Sequence, residues 1–263
     1  MNEYQSIQEA ILGATRTRSF PIAVRFMEKG ESFPESARRP AKALGKRITI
    51  CQAITMARIY GWTVGLDKSD LICVPAILAW GMSHAQDARK EMVSLLVQVG
   101  FAQNEETAKA QIEAMIIPEE GSITGILMAP LAKAEWDPHV VVIYGNPAQL
   151  MRLVQALRFS RSENITGDFQ GKIACVETLY AAYATQAPRI SIPGMGDRIF
   201  SMTQDDELAL SIPPTFLSDL VTGLVEAGKP IGARYPVTFY QNFEPLFPKP
   251  YQEMAKKLGL FST

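Results

Sequence analysis

The stretch HVVVIYG, His139–Gly145, constrains the fold more than any other part of the chain. From Val140 to Tyr144 the residues are apolar without alternation. A strand of that kind has no side suited to water and needs packing on both faces. A helix follows at once in NPAQLMRLVQALRF. Asn146 suits its N-cap, Pro147 its first position, and Leu150, Leu153, Val154 and Leu157 share one face. Further on, LALSIPPTFLSDLV repeats this order, with Pro214 or Thr215 near the helix start. The likeness is one of pattern rather than of residues, a candidate pseudo-repeat of strand–helix units. The expected fold class is α/β or α+β, a mixed sheet covered by helices.

The rest of the chain adds elements of both kinds. Ile7, Ile11 and Leu12 recur at helical spacing within 4–14. Ile22, Val24 and Phe26 alternate with Ala23 and Arg25, which predicts a half-buried strand. Thr49 with Gln52 three residues on forms a capping box for a helix running to about Tyr60. GWTVGL reads as a short strand, and Pro75 fits the first turn of the next helix. Helices are expected over 88–99, 105–115 and 172–184, and strands in SITGILMAPL, PRISIPG and DELALSIP. No linker or low-complexity segment divides the 263 residues, so 1–263 reads as a single compact domain. Its core spans about 20–230, and a proline- and aromatic-rich extension over 231–263 ends in a short helix.

Composition removes several classes of function. The formal net charge of −1 offers no global field for nucleic acid or an anionic membrane. The local run Arg38, Arg39, Lys42, Lys46 and Arg47 reads first as a solvated face, with an anion site as the minor alternative. No segment approaches the ~20 apolar residues of a membrane span. The N-terminus lacks the basic and apolar regions of a secretory signal. Three cysteines, an odd number, make no disulfide framework and fit a reducing compartment, so a cytoplasmic location is expected.

Chemistry is most readily sought at those cysteines. Cys51 falls in the first turn of one expected helix, Cys73 just ahead of another, and Cys175 early in a third. A helix N-terminus favours a thiolate, and three thiols so placed could converge on a metal or an iron–sulfur cluster. Free cysteine is also a common core residue, and no CxxC pair is present, so residue types alone favour core filler. IPGMGDR, Ile192–Arg198, is the nearest approach to a glycine-rich loop: either a ligand loop or a hairpin-like turn. Asp205, Asp206 and Glu207 read as solvated charges at a strand entry rather than a cation site. His84 reads as solvated and His139 as a structural hydrogen-bonding residue. Trp62, Trp80 and Trp136 read as core.

PIAVRF, CQAITMARIYG, CVPAILAWGM, the long block from EEGSITGILMAPL to LMRLVQAL, and GDRIFSMTQDDELALSIP, taken in this order, resemble the DUF169 family. The resemblance spans roughly 20–230 and implies no activity. In the family's pattern one cysteine precedes the QA that matches Gln52-Ala53, and another precedes the proline that matches Pro75. These positions are Cys51 and Cys73 here. Cysteines common in the family's loop at SIPGMGDR are absent, which argues against four thiolate ligands and leaves Cys175 as the third of an incomplete or mixed set.

Two functional expectations follow. The first is a protein binding a metal centre or a small cofactor. Cys51, Cys73 and Cys175 would be its metal ligands, and Gln52, Gly194, Gly196, Asp197 and Arg198 would bind the cofactor. The second is a thiol-dependent or redox enzyme with Cys73 as catalytic residue. A non-catalytic subunit-interaction protein, a homo-oligomer among the options, is the third and plainer alternative.

Overall fold

The structure, a computed structural model, describes residues 2–83, 87–167, 169–237 and 248–260. Its centre is a six-stranded sheet of β1 (Ile22–Met27), β2 (Val64–Asp67), β3 (Gly125–Pro130), β4 (Val140–Gly145), β5 (Arg189–Ser191) and β6 (Leu208–Ile212). The order across the sheet is β2-β3-β1-β4-β6-β5. Neighbouring strands pair antiparallel throughout, so the expected α/β or α+β sheet covered by helices holds, and among the described residues it contains no parallel strand pair. β4 and β6 lie side by side in opposite directions because the chain between them passes through two further helices and β5.

The helices are α1 (Glu3–Thr15), α2 (Pro40–Ala43), α3 (Ile50–Arg58), α4 (Val74–Ala79), α5 (Ala88–Gln98), α6 (Glu105–Glu113), α7 (Pro147–Leu157), α8 (Ala174–Thr185), α9 (Met195–Phe200), α10 (Leu217–Glu226) and α11 (Lys249–Lys257). They cover both faces of the sheet. Val140, Val142 and Tyr144 of β4 face a core shared with α3, α4, α5, α6 and α8. Val141 and Ile143 face a second core shared with α1, α7 and α10. The unbroken apolar run of β4 is thus the middle of a three-layer structure.

β1 is more buried than its alternation suggests. Ala23 lies in the second core, because α1 and the turn after β3 cover that side; Arg25 alone is half-exposed. α7 begins as its sequence dictates: Asn146 Oδ1 accepts from the Gln149 N–H at 2.9 Å, and Gln149 Oε1 accepts from the Asn146 N–H at 2.8 Å. α7 and α10 then approach closely enough that a Cβ at Gly223 would lie 1.9 Å from the Ala156 carbonyl oxygen. Arg152 is buried between them and donates to the carbonyls of Ala227 and Leu224 at 2.8 and 2.7 Å, closing the C-terminal end of α10. Among the described residues no helix is long and apolar enough to cross a membrane.

Candidate functional site

Four helices begin around one cavity on the α3/α8 side of the sheet. Cys51 is the second residue of α3, and Cys73 is the N-cap of α4. Cys175 is the second residue of α8, and Gly194 caps α9, whose first turn carries Gly196 and Asp197. All six line a space of about 350 Å³. Met92, Leu95 and Leu96 of α5, with Val99 and Phe101 just beyond it, make the opposite wall. The volume and the mostly apolar lining with a few convergent polar groups are those of a small-molecule site.

Local sequence explains the placement of the thiols. The Thr49–Gln52 capping box is present in both directions, at 3.0 and 2.9 Å, and fixes where α3 starts. Gln52 is engaged in that cap and does not line the cavity. Pro75 sits in the first turn of α4, which leaves Cys73 at the cap. IPGMGDR is neither an open loop nor a hairpin turn; its second half is the first turn of α9. Gly194 has φ −78°, and Gly196 is not left-handed either. Their role is close approach: a Cβ would meet Ala174 at 3.3 Å from Gly194 and the Cys51 sulfur at 3.6 Å from Gly196. Arg198 points away from the cavity and donates to the Gln204 carbonyl at 2.6 Å.

The electrostatics run against the expectation of easily ionised thiols. Burial pushes the Cys51 and Cys175 thiols up, and the charge of Asp197 pushes them further. In this apolar setting desolvation outweighs the favourable ends of the helices. Asp197 is 1% exposed, and its Oδ1 has no hydrogen-bond partner. Burial lifts its carboxyl to about 6, against the Gly194 N–H, the Arg58 guanidinium and the Cys51 thiol, which favour the charged form. Among the described residues, no group of three or more His, Cys, Asp or Glu is arranged to hold a metal ion. His139 lies elsewhere: its Nδ1 accepts from the Phe26 N–H at 3.2 Å and its ring stacks on Tyr183 at 4.9 Å. His84 lies outside the described residues.

A buried ion pair that the sequence did not suggest holds α9 in place. Arg58, the last residue of α3, is 1% exposed and meets both carboxylate oxygens of Glu207 at 3.2 and 3.1 Å. It also donates to Ser19 Oγ at 3.2 Å and to the Ser201 carbonyl at 3.3 Å, and it lies over the Tyr144 ring at 4.2 Å. Thr55 of α3 donates to the Phe200 carbonyl at 3.3 Å. Glu207 is therefore no solvated strand entry; its neighbour Asp206 pairs at the surface with Arg18 at 3.1 Å. Arg39 likewise departs from a simple solvated face, being paired with Asp67 and Asp70. Of the tryptophans, Trp80 is fully buried, and Trp62 carries Arg38 over its ring at 4.1 Å.

The fold and this site define an α/β protein with a thiol-lined cavity where several helices begin. The chain belongs to the DUF169 family, described as "Uncharacterised ArCR", whose model matches residues 11–223. It is also similar to the uncharacterized protein MJ0308 of Methanocaldococcus jannaschii, with 26% identity over 204 residues, 77% of this chain and 85% of that one. No solved structure matches the chain.

Proposed function

We propose that the protein binds a small, mainly apolar molecule in the cavity bounded by Cys51, Cys73, Cys175 and Gly194–Asp197. The observation that carries this reading is the cavity itself: a space of about 350 Å³ at four helix starts, lined mostly by apolar side chains. Met92, Leu95, Leu96, Val99 and Phe101 then hold the apolar body.

The apolar fluorophore N-phenyl-1-naphthylamine tests this directly. Saturable binding with raised fluorescence is expected, and loss of it when Leu96→Trp or Ala76→Phe fills the space. No binding to the wild-type protein, or unchanged binding in both folded variants, overturns the reading.

A second reading has a specific observation behind it. Cys51, Cys73 and Cys175 share the one cavity, and three thiols suit a soft metal ion or a cluster. Elemental analysis and an absorption spectrum of protein purified without oxygen test it. Stoichiometric metal lost in Cys51→Ser and Cys73→Ser supports this reading; metal-free protein that takes up no added zinc or iron removes it.

A further inference from the structure

We propose that the outer face of α9 is the contact surface of a homodimer, with the same face of a second copy packed against it about a two-fold axis.

α9 is turned the opposite way to an ordinary surface helix. Its polar residue Asp197 and Ser201, which ends it, face inward and are 1% and 0% exposed; Ser201 Oγ donates to the Asp197 carbonyl at 2.6 Å. Met195 and Ile199, one turn apart, are 63% and 62% exposed. A surface helix normally buries its apolar stripe and wets its polar one, so the reversed order calls for a further apolar layer over α9. Phe200 and Met202 extend the exposed face past the helix end, where the Tyr60 hydroxyl meets the Met202 sulfur at 3.8 Å. In the other direction the face runs across the cavity mouth to α4. Met195 and Cys73 line the same cavity, and Ile72 and Val74, on either side of Cys73, are exposed as well.

The extent of this face matches a second copy. Its six apolar side chains, each about half exposed, offer on the order of 100 Å² apiece and roughly 600 Å² together. A soluble monomer rarely leaves more than a few hundred Å² in one apolar patch. One side of a homodimer contact covers about 800 Å², about two thirds of it apolar, and this face supplies that part. The charges on and just after α9 are met within the chain: Arg198 donates to the Gln204 carbonyl at 2.6 Å and lies 3.9 Å from Asp205, and Asp206 pairs with Arg18. A neutral apolar face is complementary to itself, as a two-fold contact requires. Because Met195 belongs to both the face and the cavity wall, the second copy also covers part of the cavity mouth.

Sedimentation velocity of the full chain between about 1 and about 100 µM tests the proposal. The wild-type protein is expected to form a dimer within that range. Met195→Asp and Ile199→Asp, each checked for folding by circular dichroism, are expected to raise the dimer dissociation constant by about tenfold or more. Ile231, 78% exposed, follows α10 on the other side of the sheet, and Ile231→Asp is expected to leave the dimer intact. A wild-type chain that stays monomeric at about 100 µM overturns the proposal. So does a dimer that survives both α9 substitutions, or one that Ile231→Asp weakens as much as they do.

Discussion

Glu207→Gln is expected to destabilise the fold while removing a single charge. The Arg58 and Glu207 side chains are 1% and 4% exposed, so the pair is fully withdrawn from water. Removing one partner leaves the other charge buried, at a cost of about 3 kcal/mol. Glutamine can still accept from Arg58, and Ser19 Oγ and the Ser201 carbonyl remain as its partners, so the low end of the usual range applies. For a chain of this size that amounts to a fall in Tm of roughly 10 °C. Urea unfolding followed by circular dichroism measures it, with Arg58→Met and the Arg58→Met/Glu207→Gln double variant alongside. The double variant removes both charges and is expected to fall short of the summed single losses by about 2 kcal/mol. A Glu207→Gln protein within about 1 kcal/mol of wild type, or strict additivity in the cycle, would refute the claim that this pair anchors α9.

Gly223→Ala inserts a methyl group where the Ala156 carbonyl already sits, so α7 and α10 must part; a loss of about 1–3 kcal/mol or more in the same unfolding assay is expected. Asp197 has a folded pKa of about 6, raised from 3.8, so the folded state holds its proton more tightly than the unfolded chain. Stability therefore falls as pH rises through the window between those values; Asp197→Asn flattens this slope and is more stable than wild type at neutral pH, measured by thermal melts at several pH values. Iodoacetamide at pH 7 is expected to label Cys73 ahead of Cys51 and Cys175, whose thiols are held protonated. Peptide mass mapping over time reads the order, and rapid labelling of Cys175 before unfolding contradicts it.

Much of the scaffold was legible because its signals are local. The apolar run of β4, the Asn146 and Thr49 caps and the prolines at helix starts each act within a few residues, and the structure realises them. The same signals placed all three cysteines at helix starts. What sequence could not supply was distance in space. Arg58 and Glu207 are 149 positions apart and no local pattern links them. The approach of Gly194 to Ala174 likewise joins two segments that are separate in the chain. IPGMGDR was misread because two glycines suggest a loop, whereas packing against Ala174 and Cys51 needs small residues within a short helix. The acidity expected of the thiols failed for a related reason: a helix start is a local feature, and burial is not.

That burial also separates the two candidate occupants of the cavity. Cys51 and Cys175 keep their protons in the folded protein, and a metal ion binds thiolates. A soft metal must therefore expel a proton from each thiol it takes, so its affinity climbs steeply with pH, about tenfold per unit for each thiol displaced. An apolar molecule leaves the thiols protonated and packs on Met92, Leu95, Leu96, Val99 and Phe101. Its binding displaces no proton from a thiol, so its affinity does not climb with pH as that of a metal does. Titrations with zinc and with N-phenyl-1-naphthylamine between about pH 5.5 and about pH 8.5 separate the cases. Zinc affinity that climbs across the whole range marks thiol ligation, while fluorophore affinity that stays level marks binding by the apolar wall.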